Sequence, residues 1–210
     1  MRLSTTSYAI LGLLDLRPWT AYELTKHMRR NLHYFFPRAE SGIYGEFKKL
    51  TSSGMATAEA SSQGNRTRTT YTITDKGRQA LQEWLSTPTE RAFAMDSEGM
   101  LRVLYAGAGT VDDLRRTAAE FEAEAREMLR MAQDVTNAFL AGTDVAQRDA
   151  HLRVILTDFT RLYVSAILQW SHRTQELLAT WDNVAPEGKE AVTRQRLEEW
   201  AREIDTLLDE

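Results

Sequence analysis

Between Leu114 and Phe139 the apolar residues return at strictly alternating gaps of four and three: Leu114, Ala118, Phe121, Ala125, Met128, Ala132, Val135 and Phe139. A spacing of 3.5 residues held for more than three heptads is the mark of a supercoiled helix pair. At ~1.5 Å per residue, a helix over 111–141 would be about 46 Å long, and alone it would leave its seam in water. It needs a partner helix.

The flanking residues fit that requirement. Thr110 caps the predicted helix, and Asp112 and Asp113 fall in its first turn, where the positive end of the helix dipole favours them. A short helix near 98–105, carrying Leu101 and Leu104, precedes it and breaks at Gly107-Ala108-Gly109. Gly142-Thr143-Asp144 reads as a turn into a second long helix that runs to about Trp181. Its stripe is Leu152, Ile155, Phe159, Leu162, Ala166, Trp170, Leu177 and Trp181, widened by Tyr163 and Ile167. Pro186 and Gly188 separate a last helix with Leu197, Trp200, Ile204, Leu207 and Leu208 on one face. Residues 91–210 are thus expected to be an α-helical, coiled-coil-like domain.

Residues 1–90 follow a different pattern. Ser4 or Thr5 caps a first helix, which Pro18 stops. Thr20 opens a second, with Glu23 three residues on as a capping box. A third, over 40–53, has Ile43, Phe47 and Leu50 at i, i+4 and i+7 and Gly54 as its stop. Then the period changes. Met55 to Ala60 and Thr67 to Ile73 read as two threonine-rich strands around a loop over 61–65. Thr74 or Asp75 caps a fourth helix holding Ala80, Leu81, Trp84 and Leu85, and Pro88 closes this half. The order helix, helix, helix, hairpin, helix is that of a winged helix-turn-helix. The expected fold is mainly α with a small β-hairpin wing: an N-terminal winged helix-turn-helix followed by a C-terminal helical dimerisation domain.

Charge divides along the same line. Residues 1–90 hold twelve Lys and Arg against eight Asp and Glu, a net of +4. The remaining fourteen against twenty-two give −8, and together the halves make the net −4 of the chain. A basic half joined to an acidic one points to a polyanion partner for the first alone. The chain has no cysteine, which removes disulfides, thiolate metal sites and cysteine nucleophiles. The apolar run from Leu3 to Leu16 is shorter than the ~20 residues a membrane span needs. A soluble, cytoplasmic protein with no membrane partner is expected.

The third helix supplies a candidate DNA-binding face. Ser41, Tyr44, Gly45 and Lys48 lie opposite its buried stripe, with Lys49 beside them and Arg38 just upstream. Gly45 costs a helix interior about 1 kcal/mol relative to alanine, and close approach to a phosphate backbone is one reason to keep it there. Ser41 and the amides at the helix start suit phosphate oxygens, Tyr44 suits sugar or base edges, and the lysines supply charge. On the wing, Arg66 and Arg68 share the face opposite Thr69, Tyr71 and Ile73, where a groove-flanking cation would be needed.

At this point the chain resembles the PadR-like transcriptional regulators. The matching pieces are Tyr8-Ala-Ile-Leu-Gly-Leu-Leu14, Pro18 with Ala21-Tyr22-Glu23-Leu24, and Ser41-Gly-Ile-Tyr44 leading to Lys48-Lys49-Leu50. Gly54-Met55, Tyr71-Thr-Ile-Thr74 with Gly77, and Ala80-Leu81 leading to Trp84-Leu85 complete them, in order across residues 3–86. Gly45 stands where the family commonly has proline. The resemblance implies a dimeric repressor on a palindromic double-stranded DNA operator, released by a small molecule or signal. Pairing of two copies is assigned to Leu114, Phe121, Met128, Val135, Ile155, Phe159 and Leu162. Two winged domains must be held about one helical turn of DNA apart, ~34–36 Å, and long helices are suitable struts.

Tyr163, Trp170, Trp181 and Trp200 are candidate walls for a flat effector, with core packing as the competing role. His27, His33, His151 and His172 have no metal-ligand spacing, so no metal or cofactor is expected. A Gly-rich phosphate loop, a nucleophile elbow and a His-Glu-x-x-His motif are all missing from the sequence, so no catalytic residue is assigned. A helical protein-interaction module, using the winged domain for docking, is the alternative. It would lack the steep salt dependence of DNA binding.

Overall fold

A computed structural model describes residues 3–32, 36, 40–63, 66–89, 92–93 and 95–209, without the side chains of residues 30, 31, 40, 41, 62, 63, 66 and 67. The chain forms two compact units, Met1–Met95 with Arg126–Val164, and Asp96–Ala125 with Ser165–Glu210. Three helices open the first unit: α1 (Thr5–Leu16), α2 (Ala21–Asn31) and α3 (Glu40–Ser52). Strand β1 (Trp19–Thr20) lies between the first two, and β2 (Ala56–Gln63), β3 (Arg66–Ile73) and α4 (Asp75–Ser86) follow.

The helix starts are set by local chemistry. Ser4 Oγ accepts from the Ser7 amide, and Thr20 and Glu23 form a reciprocal capping box. The Thr20 amide, then its hydroxyl, hold the Glu23 carboxyl below the usual glutamate range, with Arg17 and Arg68 adding to the effect. At the far end of α3, the Met55 amide donates to Leu50 O and the Gly54 amide to Thr51 O, with Gly54 at φ 71°. This is a Schellman closure, and its left-handed residue needs glycine. Thr74 then caps α4, and Gly77 lets that helix come close: a Cβ there would stand 2.2 Å from Met55 O.

The sheet has the order β1-β3-β2, antiparallel throughout, with Trp19 opposite Tyr71 and Ala56 opposite Ile73. Pairing of β2 with β3 continues to Gln63 opposite Arg66, so both strands run further toward the tip than the sequence pattern predicts. The core gathers Ile10, Leu11, Leu14, Leu24, Ile43, Phe47 and Leu50 from three helices with Ala56 and Ile73 from the sheet. Trp19 is buried with them, its Nε1–H donating to Leu13 O at 2.8 Å.

The helical remainder comprises α5 (Glu98–Leu104), α6 (Val111–Leu140), α7 (Ala150–Ala179) and α8 (Glu190–Leu208). Both α6 and α7 contribute a segment to each unit. In the second unit, α6 and α7 are joined by polar as well as apolar contacts. Ser171 Oγ donates to Ala118 O at 2.6 Å, and Gln175 Nε2 donates to Glu122 at 3.0 Å. Arg115 donates to Leu178 O and Trp181 O, satisfying carbonyls at the end of α7. Phe121 meets Trp170 edge-on at 4.9 Å and fills the space over Gly99, where a Cβ would be 2.5 Å from its ring.

Thr110 and Asp113 form the cap of α6. Thr110 Oγ1 and N–H both donate to Asp113 Oδ2, and the Asp113 amide returns a bond to Thr110 Oγ1. These donors, Thr110 hydroxyl first, its amide next and then Arg116, hold the Asp113 carboxyl down to about 2 from an ordinary 3.8. With the folded value lowered, the cap's contribution is complete above about pH 4 and is lost as pH falls through about 2. A carbon-detected carboxyl titration should place the Asp113 midpoint near 2, and Thr110→Ala should raise it part of the way to 3.8. A wild-type midpoint near 3.8 would show that the cap is not formed.

Candidate nucleic-acid interface

One face of α3 is locked. Ile43, Phe47 and Leu50 are almost completely buried, and the Phe47 ring lies 4.2 Å from that of Tyr71 on β3. The helix is also tethered to α1, since Ser7 Oγ donates to Glu46 Oε2. At 100° per residue, burying positions 43, 47 and 50 forces 44, 45 and 48 outward. Tyr44 is 54% exposed, and Gly45 and Lys48 are exposed with it. A Cβ at Gly45 would meet nothing within 4 Å, so no packing within the chain demands glycine there.

The two lysines differ. Lys49 is half-buried and stands 3.7 Å from Glu46 Oε1, whereas Lys48 makes no ion pair among the described residues. Lys48 therefore offers the less encumbered charge. On β3, Arg68 is exposed, and it lies near enough to the start of α2 for its charge to act on Glu23. Arg38 and the side chains of Ser41 and Arg66 fall outside the described residues.

Tyr22, at the start of α2, is a second exposed aromatic side chain of the N-terminal half that the sequence pattern alone does not single out. It is 71% exposed, two positions beyond Thr20, which pairs with Thr70 on β3. Its one mark in the sequence is that it lies off the Leu24–Met28 stripe of α2, where an aromatic side chain gains nothing from the core.

The residues assigned to pairing and to an effector separate into packed and open sets. Leu114 is buried against Val111 and Leu178, Phe121 packs on Trp170, and Met128 is buried. Val135 is half-buried. Ile155, at 70% exposed, stands open with Phe159 and Leu162. Trp181 joins the Leu114 cluster, with Lys189 Nζ 5.3 Å from its ring centre. Tyr163 stacks parallel to Phe159, and Trp200 lies on an exposed apolar face of α8 with Leu197, Ile204 and Leu207. No helix among the described residues is long and apolar enough to cross a membrane, and no group of three or more acidic or histidine side chains there could hold a metal ion.

An aromatic and cationic helix face, presented just ahead of a two-stranded hairpin, defines a winged helix-turn-helix fold whose outward surface is a candidate for nucleic-acid binding. Residues 10–83 match the sequence profile of the Transcriptional regulator PadR-like family. It is 35% identical over 99 residues to the negative transcriptional regulator PadR of Bacillus subtilis (strain 168), across 47% of this chain and 54% of that protein. The match thus spans about half of the relative's length. Two solved structures of Bacillus subtilis PadR share the fold. The complex with operator DNA has a TM-score of 0.70 at 22% identity, over 85% of this chain and 99% of that one. The complex with p-coumaric acid has a TM-score of 0.62 at 23% identity, over 82% and 98%.

The two faces of α3 should respond differently to truncation. Phe47→Ala should cost about 3–5 kcal/mol in urea unfolding, the usual range for emptying a buried aromatic site. Tyr44→Ala should stay within about 0.5 kcal/mol, as exposed substitutions do. Equal losses at the two positions would mean that Tyr44 is packed.

Proposed function

We propose that this protein is a homodimeric transcriptional repressor that binds a palindromic DNA operator through residues 1–90 and pairs through residues 91–210. The observation that carries the reading is the outward set Tyr44, Gly45 and Lys48 on a helix whose opposite face is buried. Tyr44 meets sugar or base edges, Gly45 lets the helix approach the backbone, and Lys48 neutralises phosphate. Arg68 and Tyr22 extend the same surface at the wing, and Arg38, Ser41, Lys49 and Arg66 complete the assigned contacts. The operator complex of the Bacillus subtilis relative supports this reading. A cytoplasmic location follows from the role.

Pairing rests on surface that a lone chain leaves in water. Ile155, Phe159 and Leu162 on α7, and the α8 face of Leu197, Trp200, Ile204, Leu207 and Leu208, are all large, apolar and exposed. Such patches mark association surfaces. Leu114, Phe121 and Met128 would stabilise the protomers that pair, and Val135 would lie beside the seam. Release by a small molecule is proposed on the p-coumaric acid complex of the relative, with Tyr163 and Trp200 the better-placed of the four candidate aromatics. Trp170 and Trp181 are engaged in packing.

Band-shift titration of the full chain against DNA from upstream of its own gene tests the reading. Tyr44→Ala and Arg68→Ala should each weaken binding about tenfold or more while the protein stays dimeric in sedimentation. Lys48→Ala should reduce the slope of log affinity against log salt by about one. Phe159→Asp should yield monomers and lose tight binding with them. A salt-insensitive complex, or a wild-type protein that sediments as a monomer, would contradict the proposal.

A further inference from the structure

The short connection from α1 to β1 carries a cation that the fold holds in place without neutralising. Arg17 is exposed, and its guanidinium carbon lies 3.5 Å from the centre of the Trp19 ring. Its Nη1 donates to Pro18 O at 2.9 Å. Trp19 itself is buried, with its Nε1–H tied to Leu13 O, so the ring under the guanidinium is a fixed platform. One face and one donor of a planar group are thereby committed, and its other N–H groups stay free. Arg17 makes no ion pair among the described residues.

Sheet pairing brings this cation to the same end of α2 as the wing arginine. Trp19 stands opposite Tyr71 and Thr20 opposite Thr70, two positions along β3 from Arg68. Thr20 also holds the first carboxylate of α2: its hydroxyl donates to Glu23 Oε2 at 2.9 Å and its amide at 3.1 Å. Left alone, that carboxylate would repel a phosphate from a helix N-terminus that otherwise attracts one. Arg17 and Arg68 both lie near enough for their charges to act on it, and two cations against one anion leave this corner net positive.

We propose that Arg17 contacts a backbone phosphate of duplex DNA at the start of α2, next to the contact made by Arg68. The inference rests on the operator-binding reading above and adds to it a residue from outside both α3 and the hairpin. A guanidinium already held on Trp19 loses little freedom on meeting a phosphate, whose oxygens match its remaining donors. The contact positions the protein and reads no base, so it is independent of sequence.

Anisotropy titrations of the full-length protein test it, using duplex DNA from upstream of its own gene and a scrambled duplex, each over a range of salt. Arg17→Met keeps a long apolar side chain over Trp19 and removes the charge. It should weaken binding to both duplexes by the same factor, about tenfold at low salt, and reduce the slope of log affinity against log salt by about one. The thermal midpoint should be unchanged, and Arg17→Lys should restore the slope. Lys48→Ala serves as the reference for α3. If Lys48→Ala lowers the slope while Arg17→Met matches wild type, the Arg17 contact is overturned and the operator reading stands. A loss at Arg17→Met with the slope intact would also overturn it, because the charge would not be what was lost. Wild-type protein with no salt-dependent binding would overturn both.

Discussion

The burial of Ile43, Phe47 and Leu50 is the constraint on which the DNA-binding account depends. A helix has only two broad faces to assign, and committing one to the core fixes the other by geometry. Phe47 does most of this. Its ring packs against Tyr71, which ties α3 to the wing. The Schellman closure at Gly54 and the Thr74 cap then fix the connection from α3 through the hairpin to α4. Side chains on the exposed face are therefore carried by a rigid support, which lowers the entropic cost of ordering them on a ligand.

The helical remainder shows a different balance. Part of the heptad seam is consumed within the chain, where α6 and α7 are held by Ser171, Gln175 and Arg115 as well as by apolar packing. Satisfied polar contacts of this kind fix the register of two helices more narrowly than leucines alone would. The apolar residues left over lie at the first half of α7 and along α8. The same chain thus contains a closed seam and an open one.

Much of this was legible in the sequence because it is local. Ser4, Thr20, Thr74 and Thr110 act within three residues of themselves, and all four cap helices as their spacing suggests. The stripe of α3 and the change of period at the hairpin are equally local. What was not legible depends on distant partners. Strand β1 is two residues long and exists only because β3 passes beside it. A heptad repeat announces that a seam needs covering but not by what, so Leu114 and Phe121 could not be told from Ile155 and Phe159. The Asp15–Arg148 pair joins residues 133 positions apart, and no periodicity foretells it. Tyr22 was visible as a motif letter, but its exposure gives it meaning.

The most direct test of the central claim is a map of amide chemical shifts as labelled protein is titrated with duplex DNA from upstream of its own gene. The account predicts that the largest changes fall in residues 42–49, at 21–23 and at 68–70, with residues 192–208 unmoved. Changes concentrated on α8 with a silent α3 would contradict it.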